Sequence, residues 1–368
     1  MSFYDEYVGY SEAEINAVLK NTTSDQVVKI VHKDRLTALD FLALLSPAAE
    51  THLELMAQRA HQLTVQNFGH VIFLFTPIYL SDYCTNKCVY CGFNVTNKFT
   101  RKKLTLEEVE KEAQSIAATG LQHILFLTGD APKIAGIPYM LACIEILKKY
   151  FSAIAIEIYA LDMDEYKTLI DAGVESMTMF QETYNPLIYD GLHLAGPKKD
   201  YRYRLDAPER ACQAGIRSVN LGALLGLDQW RRDGFFAGLH TSYLQKKYSD
   251  VEVSLSLPRI RPTMGHCETG LTVNDKSMVQ MMTAFRLFMP RAGITLSTRE
   301  NAAFRDHAIQ LGVTKMSAGV NTAVGGHSES QENSGQFEIS DNRSVAEMSE
   351  SILKLGYQPV VKDWQTIY

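Results

Sequence analysis

From residue 71 onward the sequence alternates between short β-rich runs and helical stretches, eight times over. The runs are Val71–Tyr79, His123–Thr128, Ala153–Tyr159, Ser176–Glu182, Ser218–Leu225, Val251–Leu257, Ile294–Arg299 and Lys315–Val320. Between them, helical spacing of apolar residues predicts helices over Leu106–Thr119, Tyr139–Tyr150, Asp162–Ala172, Pro208–Ala214, Gly238–Tyr248, Asn274–Met289 and Asn301–Leu311. Gly120, Gly173, Gly215, Gly293 and Gly312 stand before the next strands, where a left-handed turn closes a helix. Repeated strand–helix units impose parallel pairing through right-handed crossovers. Eight units predict an α/β fold of the closed (β/α)8, TIM-barrel type. An open doubly wound sheet is the rival, but no Gly-x-Gly-x-x-Gly follows the first run.

Strand parity supports closure. Ile154, Ile156 and Ile158 alternate with Ala153, Ala155 and Glu157; Val253 and Leu255 alternate with Ser254 and Ser256; Ile294 and Leu296 alternate with Thr295, Ser297 and Arg299. One face suits an outer helix layer. The other carries small or polar groups toward the C-terminal ends, where barrel active sites sit. A barrel with a polar, ligand-sized interior is expected, spanning residues 71–321. Residues 1–70 read as a helical extension, with Ser11 and Glu14 in a capping-box pattern. Residues 322–368 read as a C-terminal capping segment: a polar loop over the mouth at Gly325–Gly335, a helix at Ser344–Lys354, and an end, Val361–Tyr368, that docks on the barrel.

Charge narrows the function classes. Thirty-six Lys and Arg against 42 Asp and Glu give a net charge of -6. Without a basic block, nucleic acid is not expected as a partner. Val71–Leu80, the most apolar early stretch, is interrupted by Thr76 and Pro77 and is too short to span a bilayer. The N-terminus shows no secretory signal, so a reducing cytoplasm is the expected compartment.

Of six cysteines, three are bunched as Cys84-x3-Cys88-x2-Cys91, just after the first strand. Three thiolates on one loop converge readily on a metal centre. A structural zinc site usually takes four ligands, yet this loop has no histidine and no second cysteine pair follows. A four-iron cluster on three thiolates keeps one iron open for another ligand. Cys143 and Cys212 fall on predicted helices and read as core; Cys267 has no assigned role. A non-catalytic iron–sulfur protein and a barrel hydrolase with structural zinc remain alternatives at this level.

The cysteine loop, with aromatic Tyr90 before its last cysteine, resembles that of the radical S-adenosylmethionine (SAM) superfamily. Further segments narrow the likeness: Ser46-Pro-Ala-Ala, Tyr79-Leu-Ser-Asp-Tyr-Cys, Cys91-Gly-Phe, Leu127-Thr-Gly-Asp, Phe180-Gln-Glu-Thr-Tyr, Leu221-Gly-Ala-Leu-Leu-Gly-Leu, Pro258-Arg-Ile-Arg-Pro, Leu296-Ser-Thr-Arg-Glu and Lys362-Asp-Trp. Together they resemble the aromatic amino-acid lyase branch, and within it the tyrosine lyases of thiamin-thiazole biosynthesis. A sister tyrosine lyase, of hydrogenase maturation, carries a C-terminal extension with further cysteines; here the last cysteine is Cys267, and such an extension is not expected. The resemblance implies a [4Fe–4S] cluster and SAM as cofactors, with SAM split to methionine and 5′-deoxyadenosine through a 5′-deoxyadenosyl radical. It further implies cleavage of L-tyrosine to 2-iminoacetate and p-cresol, thiazole synthase as a protein partner, and reduced flavodoxin or ferredoxin as electron donor. A tryptophan lyase is the nearest alternative.

By the same resemblance, Cys84, Cys88 and Cys91 ligate the cluster. Tyr90 and Phe93 pack near adenine. Thr128, Gly129 and Asp130 meet the SAM amine, with Asp130 standing where relatives more often have Glu. Glu157 and Glu182 end strands three and four on the inner face, to hold the ribose hydroxyls, cationic groups, or an internal salt bridge with Arg202 or Arg204. Arg204 corresponds to the arginine that pairs with the SAM carboxylate. Gly222 and the Leu224–Gly226 stretch let the backbone approach adenine. Arg299, assisted by Ser297, clamps the substrate carboxylate; Glu300, its local rival partner, points to the opposite face. Tyr79, near the cluster loop, also reaches substrate. His240, His266, His307 and His327 read as surface or core.

Overall fold

A computed structural model describes residues 2–261, 270–328 and 335–362. Five helices open the chain: α1 (Phe3–Tyr7), α2 (Glu12–Asn21), α3 (Ser24–Val31), α4 (Ala38–Leu44) and α5 (Leu53–Phe68). Ser11 Oγ accepts the Glu14 N–H, one of the two bonds of the predicted capping box. The barrel follows as β1 (Val71–Ser81), α6 (Leu106–Ala117), β2 (His123–Thr128), α7 (Ile137–Leu147), β3 (Ala153–Glu157), α8 (Met163–Asp171) and β4 (Ser176–Glu182). It continues through α9 (Pro186–Leu192), α10 (Tyr201–Leu205), α11 (Ala207–Gln213), β5 (Ser218–Ala223), α12 (Trp230–Lys247), β6 (Glu252–Ser256), α13 (Asp275–Phe288), β7 (Gly293–Leu296), α14 (Ala302–Ala308) and β8 (Lys315–Ser317). Helix α15 (Val345–Lys354) and strand β9 (Gln358–Val360) end it. Helices α4 and α5 pack against α13, and α4 also against α12.

All strand pairs are parallel, and β1 pairs with both β2 and β8, so eight strands close into the expected barrel. The ninth strand, β9, lies beside β1 at Val71–Phe73. At three residues it is too short to carry a readable period. Strand β1 therefore has three partners in sequence along its length: β9 at Val71–Phe73, β8 at Phe73–Phe75 and β2 from Thr76 to Ser81.

Parity places the layers. Ile154, Ile156, Val253, Leu255, Ile294 and Leu296 are buried in the main core, while Glu157, Ser256, Thr295, Ser297 and Arg299 line the lumen. Four predicted runs, in β3, β5, β7 and β8, leave the ladder two or three residues early at the mouth, where the strands part around a cavity. The helix expected from Gly238 begins at Trp230. Glycines inside it hide its start from a propensity reading, and the structure uses them for close packing: a Cβ on Gly234 would meet Met281 Sδ at 2.5 Å, and one on Gly238 the Phe41 ring at 2.4 Å. Gly120, Gly173, Gly215 and Gly312 take left-handed φ angles, but Gly293 does not; it is the first residue of β7, close against Ser254.

The capping segment is tied down on both sides of residues 329–334, which fall outside the described residues. On one side His327 and Ser328 N–H groups donate to the buried Glu112 carboxylate at 3.1 and 2.5 Å, and His327 Nε2 donates to the Pro77 carbonyl at 2.9 Å. On the other, Ser340 N donates to the Thr298 carbonyl at 2.9 Å, and fully buried Asp341 pairs with Arg305 and with Arg343, the latter at 2.7 Å. His266, Cys267 and the docking end beyond Lys362 also lie outside the described residues. Among the described residues, no helix is long and apolar enough to cross a membrane.

Candidate active site

The mouth of the barrel holds a cavity that joins a second, smaller one over the cysteine loop. They share one wall, which includes Tyr79, Cys91, Glu157, Glu182, Lys198 and Gln336. The larger lobe reaches down the barrel axis to Asn220 and Thr295; the smaller is closed by Cys84, Cys88, Phe93, Thr128, Asp130 and Arg204.

The smaller lobe is held by its own backbone. Thr85 N donates to the Asp130 carbonyl at 2.8 Å, and Gly129 N to the Ser81 carbonyl at 2.8 Å. A Cβ on Gly129 would stand 2.2 Å from the Tyr83 carbonyl oxygen, so only glycine lets β2 press this close beneath the loop. Asn86 joins three segments: its Nδ2 donates to Asp130 at 2.6 Å, its Oδ1 accepts from Lys198 N at 2.9 Å, and its N–H faces Cys84 Sγ at 3.4 Å. Asn94 Nδ2 donates to the Cys88 carbonyl at 2.9 Å, and Arg101 bridges the Phe93 and Asn94 carbonyls at 3.0 and 2.6 Å.

Cys84, Cys88 and Cys91 are free thiols around this one lobe. Burial pushes the Cys88 thiol up to about 12 and raises Cys91 as well, so metal loading must displace their protons. Three cysteines of one loop facing one lobe match a four-iron cluster that keeps one iron open for another ligand. Thr128 Oγ1 is buried in the same lobe without a hydrogen-bond partner among the described residues, a polar contact left for a ligand. The lobe thus fits a cluster with an amino-acid-bearing cofactor beside it.

Opposite the cysteines stands a buried charge triad. Glu182 is the one non-glycine among the described residues with a left-handed φ, 70°, at a register shift between β4 and β5. Its carboxylate pairs with Lys198 Nζ at 2.5 Å and with an Arg204 guanidinium nitrogen at 3.5 Å, while Arg204 Nε donates to the Phe180 carbonyl at 2.7 Å. Burial raises the Glu182 carboxyl, but Lys198 and Arg204 overcome it and bring it below the usual range. Arg202 lies apart, beside Asp206. Burial raises Asp130 against its bond from Asn86.

The larger lobe is the opposite case. Arg299 faces it with no ion pair among the described residues; its guanidinium stacks on Phe337 at 3.5 Å, and burial lowers its pKa. Glu300 is committed elsewhere, to Arg259 and Arg261. Glu157 faces both lobes, and burial pushes its carboxyl up to about 7, with Arg299 opposing. Ser297 Oγ accepts from Arg299 N at 3.4 Å. Tyr79 donates to Gln336 Oε1 at 2.9 Å, drawing the capping segment over the junction. One wall is apolar, with Phe75, Pro77, Leu125 and Leu127; the other carries Thr178, Asn220, Ser256 and Thr295.

Two residues chosen from the sequence stand differently from expectation. Tyr90 lines the larger lobe, and its hydroxyl donates to His193 Nε2 at 2.7 Å; His193 Nδ1 donates to the Tyr189 carbonyl, and burial holds that ring neutral with a pKa near 3. Gly222 lines neither lobe; a Cβ there would meet the Ser256 carbonyl oxygen at 2.5 Å and the Phe180 ring at 2.8 Å. Leu224 lines the larger lobe. Asn86, His193, Lys198, Gln336 and Phe337 were not legible as site residues, because no motif or period marks them.

Comparison with known proteins matches these lobes to a chemistry. The model of the radical SAM superfamily matches residues 78–234, and the Biotin and Thiamin Synthesis associated domain matches residues 256–358. The 2-iminoacetate synthases of Salmonella typhimurium and Escherichia coli are each 36% identical over 366 residues, covering 99% of this chain and 97% of theirs. The 3-methylornithine synthase of Methanosarcina barkeri is 26% identical over 76% of this chain and 68% of its own. The solved structure of HydG, a maturase of the [FeFe]-hydrogenase, superposes with a TM-score of 0.90 at 32% identity, covering 95% of this chain and 80% of that one. With near-complete coverage of both chains, and a thiol-ringed lobe at the barrel mouth, the chain belongs to the 2-iminoacetate synthase family of radical SAM enzymes, whose cofactors are a [4Fe–4S] cluster and SAM.

Proposed function

We propose that the chain cleaves the Cα–Cβ bond of L-tyrosine to 2-iminoacetate and p-cresol for the thiazole of thiamin. The observation that carries this reading is Arg299, a buried cation without an ion pair among the described residues, in a lobe beside the cofactor lobe. A free amino acid brings the missing carboxylate, and the arginine fork holds it in two parallel hydrogen bonds. The apolar wall of Phe75, Pro77 and Leu125 suits an aromatic ring, and the polar wall suits a phenol.

Cys84, Cys88 and Cys91 hold the cluster. Thr128, Gly129 and Asp130 receive the SAM amine, Arg204 its carboxylate and Glu182 its ribose, with Phe93 beside adenine. Bound there, the cluster and SAM supply one hydrogen-abstracting equivalent, and SAM leaves as methionine and 5′-deoxyadenosine. The chain's own part is to orient the amino acid, keep water out and stage the proton traffic. A free imine hydrolyses in water, so we assign thiazole synthase as the acceptor, docking near the stretch around Gly325–Gly335, and reduced flavodoxin or ferredoxin as the donor.

Anaerobic reconstitution with SAM, reductant and each aromatic amino acid tests the reading. Tyrosine is expected to yield p-cresol; an indole product from tryptophan, with no p-cresol, overturns it. Anaerobic co-purification tests the partner. Complete loss of product to glyoxylate, even with the synthase present, counts against transfer.

A further inference from the structure

We infer that Glu157 is a catalytic base that takes a proton from the α-ammonium group of the bound amino acid. The inference rests on the tyrosine-cleavage reading above. It begins from position: Glu157 ends β3 on the wall shared by both lobes, between the thiol-ringed space and Arg299.

The groups around it divide into two sets. Glu182, from β4, with Lys198 and Arg204, from the connection to β5, are already joined to one another. Tyr79, from β1, has spent its proton on Gln336. That leaves Arg299, beyond the end of β7. Arg299 and Glu157 feel each other electrostatically, but no hydrogen bond or ion pair joins them among the described residues. Two opposite charges thus face one lobe without touching.

A zwitterionic amino acid is the complement of that arrangement. Its carboxylate meets Arg299, and its ammonium, one carbon away, turns toward Glu157. Near neutrality an α-amine arrives largely protonated. On the cleavage reading the hydrogen atom is taken from the substrate nitrogen; an ammonium has no lone pair to stabilise a nitrogen-centred radical, so abstraction there calls for the neutral amine. In the proposed step an N–H bond breaks, its electron pair stays on nitrogen, and an O–H bond forms on Glu157. Nothing is oxidised or reduced, and the proton returns to water between turnovers. Burial lifts the carboxyl toward the working pH, where a general base is most effective.

The test is Glu157→Gln, which keeps the shape and removes the base. At pH 7, p-cresol formation should fall by about 10²- to 10⁴-fold. The SAM-induced change in the cluster EPR signal and the melting temperature should stay at wild-type values. The lost rate should return as the pH is raised toward about 9, where tyrosine arrives with more of its amine neutral. Glu157→Asp, still a base, should keep the wild-type pH profile at a lower rate. Wild-type turnover by Glu157→Gln at neutral pH, a lost SAM response, or no recovery at high pH would each overturn the assignment. A wild-type enzyme that makes no p-cresol overturns the cleavage reading instead.

Discussion

The two lobes at the barrel mouth treat charge in opposite ways. In the cofactor lobe the charges are settled in advance: Glu182 is held between Lys198 and Arg204, and Asp130 by Asn86. In the larger lobe, proposed to take the substrate, Arg299 and Glu157 are left apart, and among the described residues the cation has the Phe337 ring against it and no ion pair. The space over the cysteine loop is framed by charges that already have partners in the protein. On the proposed reading, the amino-acid substrate completes an electrostatic set that the described residues leave open. Unpaired buried charge is costly, so an empty substrate lobe costs stability that the bound amino acid restores.

This contrast can be broken at three strengths. The largest effect is expected in the thiols: Cys88→Ala should abolish cluster assembly and SAM cleavage, while Cys143→Ala and Cys212→Ala, at buried helix positions, should leave both intact. Iron content and 5′-deoxyadenosine formation measure this, and turnover by Cys88→Ala refutes the ligand set.

Next comes a crossed pair. Arg299→Ala should lose tyrosine cleavage by roughly 30-fold to several thousand-fold, on the order of 2–5 kcal/mol, while SAM still shifts the cluster signal. Arg299→Lys should recover little, since a point charge cannot reproduce the fork. Glu182→Gln should do the reverse, weakening SAM binding by about tenfold or more and lowering folding stability on the order of 3 kcal/mol, because Lys198 and Arg204 lose their counter-ion. If Arg299→Ala instead loses the SAM response and keeps tyrosine turnover, the lobes are assigned the wrong way round.

The smallest effect is at the edge of the open lobe. Phe337→Leu removes the ring under Arg299 and should raise KM for tyrosine by about 2- to 30-fold, from a cation–π contact of about 0.5–2 kcal/mol, with SAM affinity unchanged. An equal loss in both affinities would mean that Phe337 supports the whole mouth.

What was legible in the sequence follows the range of each signal. Ile154, Ile156 and Glu157 declare their faces by a period of two, so barrel, lumen and inward side chains could all be read locally. The thiols announce themselves within eight positions. Arg299 and Ser297 shared a predicted face, and the lumen is where both stand. Lys198 and Phe337 carry no such mark. Each reaches the site from a segment without period, through contacts made only in three dimensions: Lys198 by the pull of Glu182 and Asn86, Phe337 because Asp341 and Ser340 fasten the strap beside it. Gly222 shows the converse limit, since a glycine in a strand announces a close approach without saying to what. Here it is the Ser256 carbonyl and the Phe180 ring.

The three partners of β1 bear on how the chain is made. One edge takes β2 along Thr76–Ser81 and β9 at Val71–Phe73, while the other waits for β8; β8 and β9 are the last two of the nine strands to be made. Until they emerge from the ribosome, an apolar strand running from Val71 to Ser81 offers an open edge to any neighbouring chain, and closure depends on contacts of very long sequence separation. A nascent chain of this kind is a natural client for chaperones. Loss of β9 would then register first as aggregated yield during expression, before any change in the catalysis of the molecules that do close.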